Sequence, residues 1–297
     1  MLKLGDMTRL PEPLSLSCAA GSGSVLSYGA HVVSWAPEDH ESVLWVSSRS
    51  YNETGRAVRG GVPICFPWFG PGRTGDMDPA HGFARITEWQ LAEQGEDAQG
   101  DAYAEFTLTP ADVAEHLRET FPHEFEARFR VTVGARLRMA LTVTNTGTET
   151  FDFEEALHSY LHVGDSRRVS VTGLDGVSYY DKVAKEQRRQ SGELTITGET
   201  DAVFAHRGEV RVSDPELGRT LVITKEGSDS TVVWNPWVDK SVAMADFADD
   251  EWQRMLCVEA GNVMGSPVRL EAGESHTLVQ SIEVQDLTAQ EPAAQDA

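Results

Sequence analysis

Phe125-Glu-Ala-Arg-Phe-Arg-Val-Thr-Val133 alternates apolar and polar side chains, and Leu137-Arg-Met-Ala-Leu-Thr-Val-Thr-Asn-Thr-Gly147 repeats the pattern beyond Gly134. A period of two marks a half-buried strand, and two such runs across a glycine predict a β-hairpin. Shorter strand-like runs surround it. Val43 to Ser48 and Ala104 to Thr109 precede it; Arg168 to Thr172, Glu193 to Thr197, Glu209 to Ser213, Thr220 to Thr224, Ser230 to Trp234, Met255 to Ala260 and His276 to Val284 follow. Only Pro110 to Arg118 reads as a helix, with Asp112 and Glu115 near its start, where acids suit the helix dipole. Many short strands separated by turn residues predict an all-β fold with few short helices, a β-sandwich or a barrel-like fold. No composition break, repeat or linker divides the chain, so a single domain over 1–285 is expected. The polar tail, 286–297, is expected to be disordered.

The bulk composition narrows the functional classes. The 297 residues are 40% hydrophobic, enough for a sizeable core, and carry a net charge of −22 from 47 acids against 25 bases. Such a surface repels nucleic acid and anionic lipid, so neither is an expected partner. No apolar run is long enough to span a bilayer. Met1 to Asp6 lacks a basic segment followed by an apolar core, so no signal peptide is expected. Three cysteines, Cys18, Cys65 and Cys257, cannot all pair and show no metal spacing. A reduced cytoplasmic setting is the expectation. Against so acidic a background, an anionic substrate needs a locally basic site. Arg49, Arg56, Arg59 and Arg85 are the candidates for it.

Four segments carry possible chemistry. The first is Arg59-Gly-Gly-Val-Pro-Ile-Cys-Phe-Pro-Trp-Phe-Gly70, followed by His81-Gly-Phe-Ala-Arg85. Pro63 and Pro67 each remove a backbone donor, which excludes a helix. Paired glycines mark a tight turn or a close approach of backbone to a ligand. Arginines flanking aromatics could frame a pocket that stacks on a sugar and holds an anion; a structural loop with surface arginines is the competing reading. The second is Glu154-Glu-Ala-Leu-His-Ser-Tyr-Leu-His-Val163. As a strand it puts His158, Tyr160 and His162 on one face, with Leu157, Leu161 and Val163 on the other. Histidine suits general acid catalysis near neutral pH, although ordinary strand histidines are commoner. A metal on His158 and His162 lacks a third ligand at a recognisable spacing.

The third segment is Arg254-Met-Leu-Cys-Val-Glu-Ala-Gly-Asn262, where Glu259 interrupts an apolar strand. Burial is costly for a carboxylate and raises its pKa, which makes it a better base at neutral pH. A salt bridge to Arg254 or another arginine is the structural alternative. The fourth is Trp234-Asn-Pro-Trp-Val-Asp-Lys240, then Met244 to Phe247 and Trp252. Its aromatics could stack on a sugar and its polar groups could bind hydroxyls or phosphate. Trp252 reads better as core.

In their order along the chain, these segments resemble the galactose-mutarotase-like superfamily, and more closely its hexose-6-phosphate mutarotases, the glucose-6-phosphate 1-epimerases. The resemblance runs from about Gly29 to Val284. It rests on Arg59-Gly-Gly-Val-Pro, His81-Gly-Phe-Ala-Arg85, Leu157-His-Ser-Tyr160, Glu199-Thr-Asp201, Trp234-Asn-Pro-Trp237 with Lys240, and Cys257-Val-Glu259-Ala-Gly. Ala80 stands where some members carry glutamine before the His-Gly pair.

The resemblance implies a large antiparallel β-sandwich whose concave face holds the sugar. It implies His158 as general acid, Glu259 as general base, and Arg59, Arg85, Asp201, His81 and Lys240 as substrate-binding residues. The implied reaction interconverts α and β hexose 6-phosphates by ring opening and closure, with no metal, cofactor or nucleotide, in a cytoplasmic monomer. An epimerase acting on unphosphorylated aldoses is the nearest alternative. A non-catalytic sugar binder on the same fold is another, although it has no use for an acid–base pair. A glycosidase would need a second carboxylate paired with Glu259, and none stands out.

Overall fold

A computed structural model of the protein describes residues 8–287. The Met1 to Asp6 segment and residues 288–297 of the expected tail lie outside the described residues. Asp286, the first residue of that tail, instead closes the long strand Ser275–Asp286.

The expected hairpin forms. Phe125–Val133 pairs antiparallel with Arg136–Asn145, with Phe129 opposite Leu141. Alternate side chains Phe125, Ala127, Phe129, Val131 and Val133 are buried, as are Leu137, Met139, Leu141 and Val143. Each large apolar side chain buried this way contributes roughly 1.5–3 kcal/mol. The hairpin lies in a nine-stranded sheet that runs Leu194–Thr195, Ser170–Thr172, Val210–Asp214, Arg219–Glu226, Ser275–Asp286, Arg136–Asn145, Phe125–Val133, Ala102–Leu108, Gln90–Glu96.

A second, eight-stranded sheet runs Glu186–Arg189, Ser178–Asp181, Thr200–Ala205, Ser230–Asn235, Met255–Asn262, Glu155–Leu157, Ile64–Cys65, and Tyr160–His162 also pairs with Met255–Asn262. Neighbouring strands within both sheets pair antiparallel. A three-stranded sheet, Leu14–Cys18, Gly21–Leu26 and His31–Pro37, precedes them.

The two large sheets share one apolar core. Leu157, Leu161, Ala202, Phe204, Val233, Leu256, Val258 and Ala260 from the second sheet pack with Phe129, Leu141, Ile223, Leu278 and Ile282 from the first. A buried polar bridge joins the sheets as well. Ser159 Oγ donates to Gln280 Oε1 at 2.5 Å, and Gln280 Nε2 donates to the Val258 carbonyl at 2.9 Å.

Three local expectations change. Val43 to Ser48 forms no strand; only Leu44 and Val46 make isolated bridges, to Leu161 and Gly60. Pro110 to Arg118 is no continuous helix. A short 3₁₀ turn, Pro110–Asp112, is capped by Asp112, whose carboxylate accepts from the Thr109 backbone and hydroxyl. Val113 and Ala114 are then extended (ψ 134° and 139°) before a single α turn, Glu115–Arg118. A second helix, Trp237–Ala243, was not expected. It begins with Trp237 at φ 57°, a left-handed conformation uncommon for a bulky side chain.

Candidate active site

The core uses every second side chain of the second sheet, and the intervening side chains point to its other face. Cross-strand register then decides which of them meet. Leu157 opposes Ala260 and Tyr160 opposes Cys257, so the two residues between them place His158 beside Glu259. The expected continuous strand is broken here: the backbone N–H of His158 bonds to Pro63 and that of Tyr160 to Gly61. Beyond Met255–Asn262 the register continues. Glu259 opposes Val232, which opposes Val203, and Cys257 opposes Trp234, which opposes Asp201. Two adjacent rows result: His158, Glu259, Val232, Val203, and Tyr160, Cys257, Trp234, Asp201.

A cavity of about 260 Å³ opens over these rows. Arg59, His81, His158, Asp201, Lys240 and Glu259, six of the seven predicted site residues, line it. A larger cavity of about 560 Å³ lies far from this face, between Asp97, Arg130, Arg136, Arg138 and Glu283. None of the residues lining it is buried, so its polar groups stay hydrated and size does not mark it as the reactive site.

His158 Nε2 lies 3.4 Å from Glu259 Oε1, with the side chains 8% and 1% exposed. The contact lacks hydrogen-bond alignment: both Glu259 oxygens and His158 Nδ1 are buried without a hydrogen-bond partner. Burial, with Asp201 nearby, holds the Glu259 carboxyl well above its ordinary range. Burial, with Arg85 and Arg59 nearby, holds His158 well below its own. Both effects favour neutral side chains, with the proton on Glu259 rather than on His158. The His158 ring stacks on Tyr160 at 4.7 Å and meets Trp234 edge-on at 6.1 Å, which fixes its plane. No arginine pairs with Glu259 among the described residues: Arg254 donates to the Gly164 carbonyl, and both Glu259 oxygens lack a hydrogen-bond partner.

His81, at φ 67°, turns its Nδ1 toward the Gly70 N–H at 3.3 Å. That nitrogen therefore accepts, and the ring proton belongs on Nε2. Burial, followed by Arg85, His158, Lys182 and Arg59, keeps His81 well below its usual pKa, so it is a neutral donor. Arg59 donates through Nε and Nη2 to Asp246 Oδ2 at 3.1 and 3.0 Å and through Nη1 to the Tyr160 hydroxyl at 2.9 Å. Lys240 pairs with Glu199 at 2.8 Å.

Arg85 stands apart. Its Nη2 donates to the Ala80 carbonyl at 2.6 Å, its Nε is buried without a partner, and it is absent from the cavity wall. Its charge still reaches the site, where it helps to lower His81 and His158. His162, expected on the same face, also stays outside the cavity, with Nδ1 3.4 Å from the Ser42 carbonyl.

The glycine pair has a structural reason. A Cβ on Gly60 would collide with the Trp45 carbonyl and one on Gly61 with the Val32 carbonyl. The close approach is to backbone, and it brings Arg59 to the cavity. Asn235 is also structural: its Nδ2 donates to the Trp252 and Met255 carbonyls at 2.8 and 2.9 Å. Trp252 is buried against Trp237, as its reading as core implies.

Lys182 is the residue that sequence reasoning missed. Its Nζ lies 3.1 Å from Asp201 Oδ2 and 5.3 Å from the centre of the Phe69 ring, on the cavity wall. Nothing in Asp181-Lys-Val183 marks it. Only the pairing of Ser178–Asp181 with Thr200–Ala205 brings it to Asp201.

The aldose 1-epimerase family profile matches residues 14–283. The chain belongs to the aldose 1-epimerase family. Relatives from Cenchrus ciliaris and Escherichia coli K12, each named "Putative glucose-6-phosphate 1-epimerase", are both 37% identical to it. The first match covers 91% of this chain and 84% of the relative, the second 86% and 84%. The crystal structure of YeaD, a "putative mutarotase" from Salmonella typhimurium, superposes with a TM-score of 0.85 at 33% identity, covering 96% of this chain and 92% of that one. The antiparallel β architecture expected from the alternating strands is thus the architecture of this epimerase family. Among the described residues, no helix is long and apolar enough to cross a membrane.

Proposed function

We propose that this family member is a hexose-6-phosphate mutarotase that interconverts the α and β anomers of glucose 6-phosphate and related sugars. The observation that carries the reading is the buried His158–Glu259 pair, 3.4 Å apart on the floor of a cavity walled by Arg59, Lys182 and Lys240. Ring opening removes the proton from the anomeric hydroxyl and adds one to the ring oxygen. Both oxygens are bonded to C1, so acid and base must be neighbours. Transfer of the pair's one proton from Glu259 to His158 prepares the reactive state, in which Glu259 takes the hydroxyl proton while His158 protonates the ring oxygen and the C1–O5 bond breaks. Rotation about C1–C2 presents the other aldehyde face, and closure reverses both transfers. Each group is expected to contribute about 10²–10⁴-fold.

His81 and Asp201 are placed to hold sugar hydroxyls, and Trp234 offers an apolar face to the ring. Arg59, Lys182 and Lys240 supply the cations for a 6-phosphate, with Arg85 adding charge from behind the wall. The proposal extends to a monomer working in the cytoplasm, a setting that suits three unpaired thiols.

One observation favours a second reading, an epimerase of unphosphorylated aldoses. Arg59, Lys182 and Lys240 already face Asp246, Asp201 and Glu199, so a phosphate must compete with an acid for each cation. The test is the anomerisation rate of freshly dissolved α-glucose 6-phosphate beside glucose and galactose, with wild type, His158→Ala and Glu259→Ala. Fast equilibration of the phosphosugar that both variants lose supports the proposal. Acceleration of the free sugars alone selects the second reading, and no acceleration of any sugar removes both.

A further inference from the structure

Cys257 takes no part in the chemistry proposed above, yet it sits two residues before Glu259 on the same face of the Met255–Asn262 strand. One ligand atom each from His158, Cys257 and Glu259 lies within 4.8 Å of the others, and all three residues are buried. Both Glu259 oxygens and His158 Nδ1 have no hydrogen-bond partner, so the cluster has unused donor capacity at a place where polar atoms are normally satisfied. The cavity reaches His158 and Glu259, which gives an ion a way in.

We propose that His158, Cys257 and Glu259 form a binding site for Zn²⁺ at the floor of the cavity. A nitrogen, a thiolate and a carboxylate are a donor set that zinc prefers over the hard cations Mg²⁺ and Ca²⁺. Zinc holds such ligands at about 2.0–2.3 Å, so atoms already this close reach one ion by side-chain adjustment, with water or a sugar hydroxyl in the fourth position. Binding releases the thiol proton of Cys257 and the carboxyl proton of Glu259. The two anions then balance the ion's charge and leave no net charge buried. Where the proposed mutarotase reaction holds, the ion inhibits it, because it occupies the lone pairs that His158 and Glu259 use for proton transfer.

The test measures binding directly and so is independent of that reaction. Wild-type protein is titrated with Zn²⁺ in a calorimeter and with Co²⁺ in a spectrophotometer. One ion per chain is expected, with a thiolate-to-cobalt charge-transfer band in the near ultraviolet. Cys257→Ser abolishes the band and weakens Zn²⁺ binding at least tenfold; Glu259→Gln weakens binding while keeping the band. Cys65→Ser keeps both, which separates this site from the other buried thiol. Thermal melts establish that each variant is folded, and Glu259→Gln carries the test if Cys257→Ser is not. Absence of the band in wild type, or unchanged Zn²⁺ affinity in a folded variant of Cys257 or Glu259, overturns the proposal. Wild type that binds zinc but anomerises no sugar leaves the site standing and removes the mutarotase reading instead.

Discussion

His158 and Glu259, 101 positions apart in the sequence, face each other across one strand pair with Nε2 and Oε1 3.4 Å apart. In the proposed reaction the pair acts as one proton-transfer unit, so its members should not contribute independently. Single replacement of either by alanine is expected to lower kcat for the phosphosugar by about 10²–10⁴-fold. The double variant should be little worse than the weaker single one, as for other catalytic groups that function together. Rate losses that multiply in the double variant would mean that the two residues act in separate steps.

In the proposed reaction the same pair sets the pH dependence. The competent state holds one proton in total. Activity is lost in acid when the pair takes a second proton, which must go to His158, and His158 is held below its ordinary value by burial and by Arg85 and Arg59. Activity is lost in alkali when the pair loses its one proton, which Glu259 holds with a pKa raised by burial and Asp201. The plateau therefore widens in both directions. A plot of kcat against pH is expected to stay flat through about 6.5, the ordinary histidine value. The enzyme–substrate parameter is the one to measure, because it reports groups in the complex. An acid limb near 6.5 would show that burial does not depress His158 once substrate is bound.

Much of this arrangement is local and therefore visible in residue order. Alternation at Phe125–Val133 reports a half-buried strand because each side chain's face depends only on its parity. Glu259 stands out because a carboxylate interrupts apolar neighbours. The Tyr160, Cys257, Trp234, Asp201 row is different, since it depends on register among strands far apart in sequence. Lys182 enters by the same route and has no local mark. Arg85 fails in the opposite way: its motif is clear, but the 3₁₀ turn Ala84–Ile86 bends its guanidinium back to the Ala80 carbonyl. Val43 to Ser48 has strand composition, yet its backbone bonds scatter to Trp35, Tyr160 and Arg59, so no ladder forms.

Gln280 supports the site from behind. It is fully buried, accepts from Ser159 Oγ and donates to the Val258 carbonyl, each one residue away from a member of the His158–Glu259 pair. Gln280→Leu leaves a buried hydroxyl and a buried carbonyl without those bonds. The expected loss is about 1–3 kcal/mol of stability, read from urea unfolding. A folded variant should also lose kcat more than it gains in KM, because the change moves the pair and touches no substrate. Unchanged stability would mean that water or a rearranged neighbour replaces the bridge.

Under the proposed function, Arg59 is the residue that separates phosphorylated from free sugars. Its guanidinium lines the cavity and is held by Asp246 and the Tyr160 hydroxyl, which leaves one N–H on each of Nη1 and Nη2 to donate to an anion. Lysine cannot reproduce that fork, so Arg59→Lys should behave more like Arg59→Ala than like wild type. Hydrogen bonds to charged groups are worth roughly 1.5–3 kcal/mol, which predicts a rise in KM for glucose 6-phosphate of about 10- to 100-fold. The rate with plain glucose should change by less than about threefold on the same reasoning, since that sugar has no phosphate to lose. Equal losses on both sugars would place Arg59 in the positioning of Tyr160 and His158 rather than in phosphate recognition. The ion pair with Asp246 would then be structural, and Lys182 and Lys240 would remain as the cations available to the 6-phosphate.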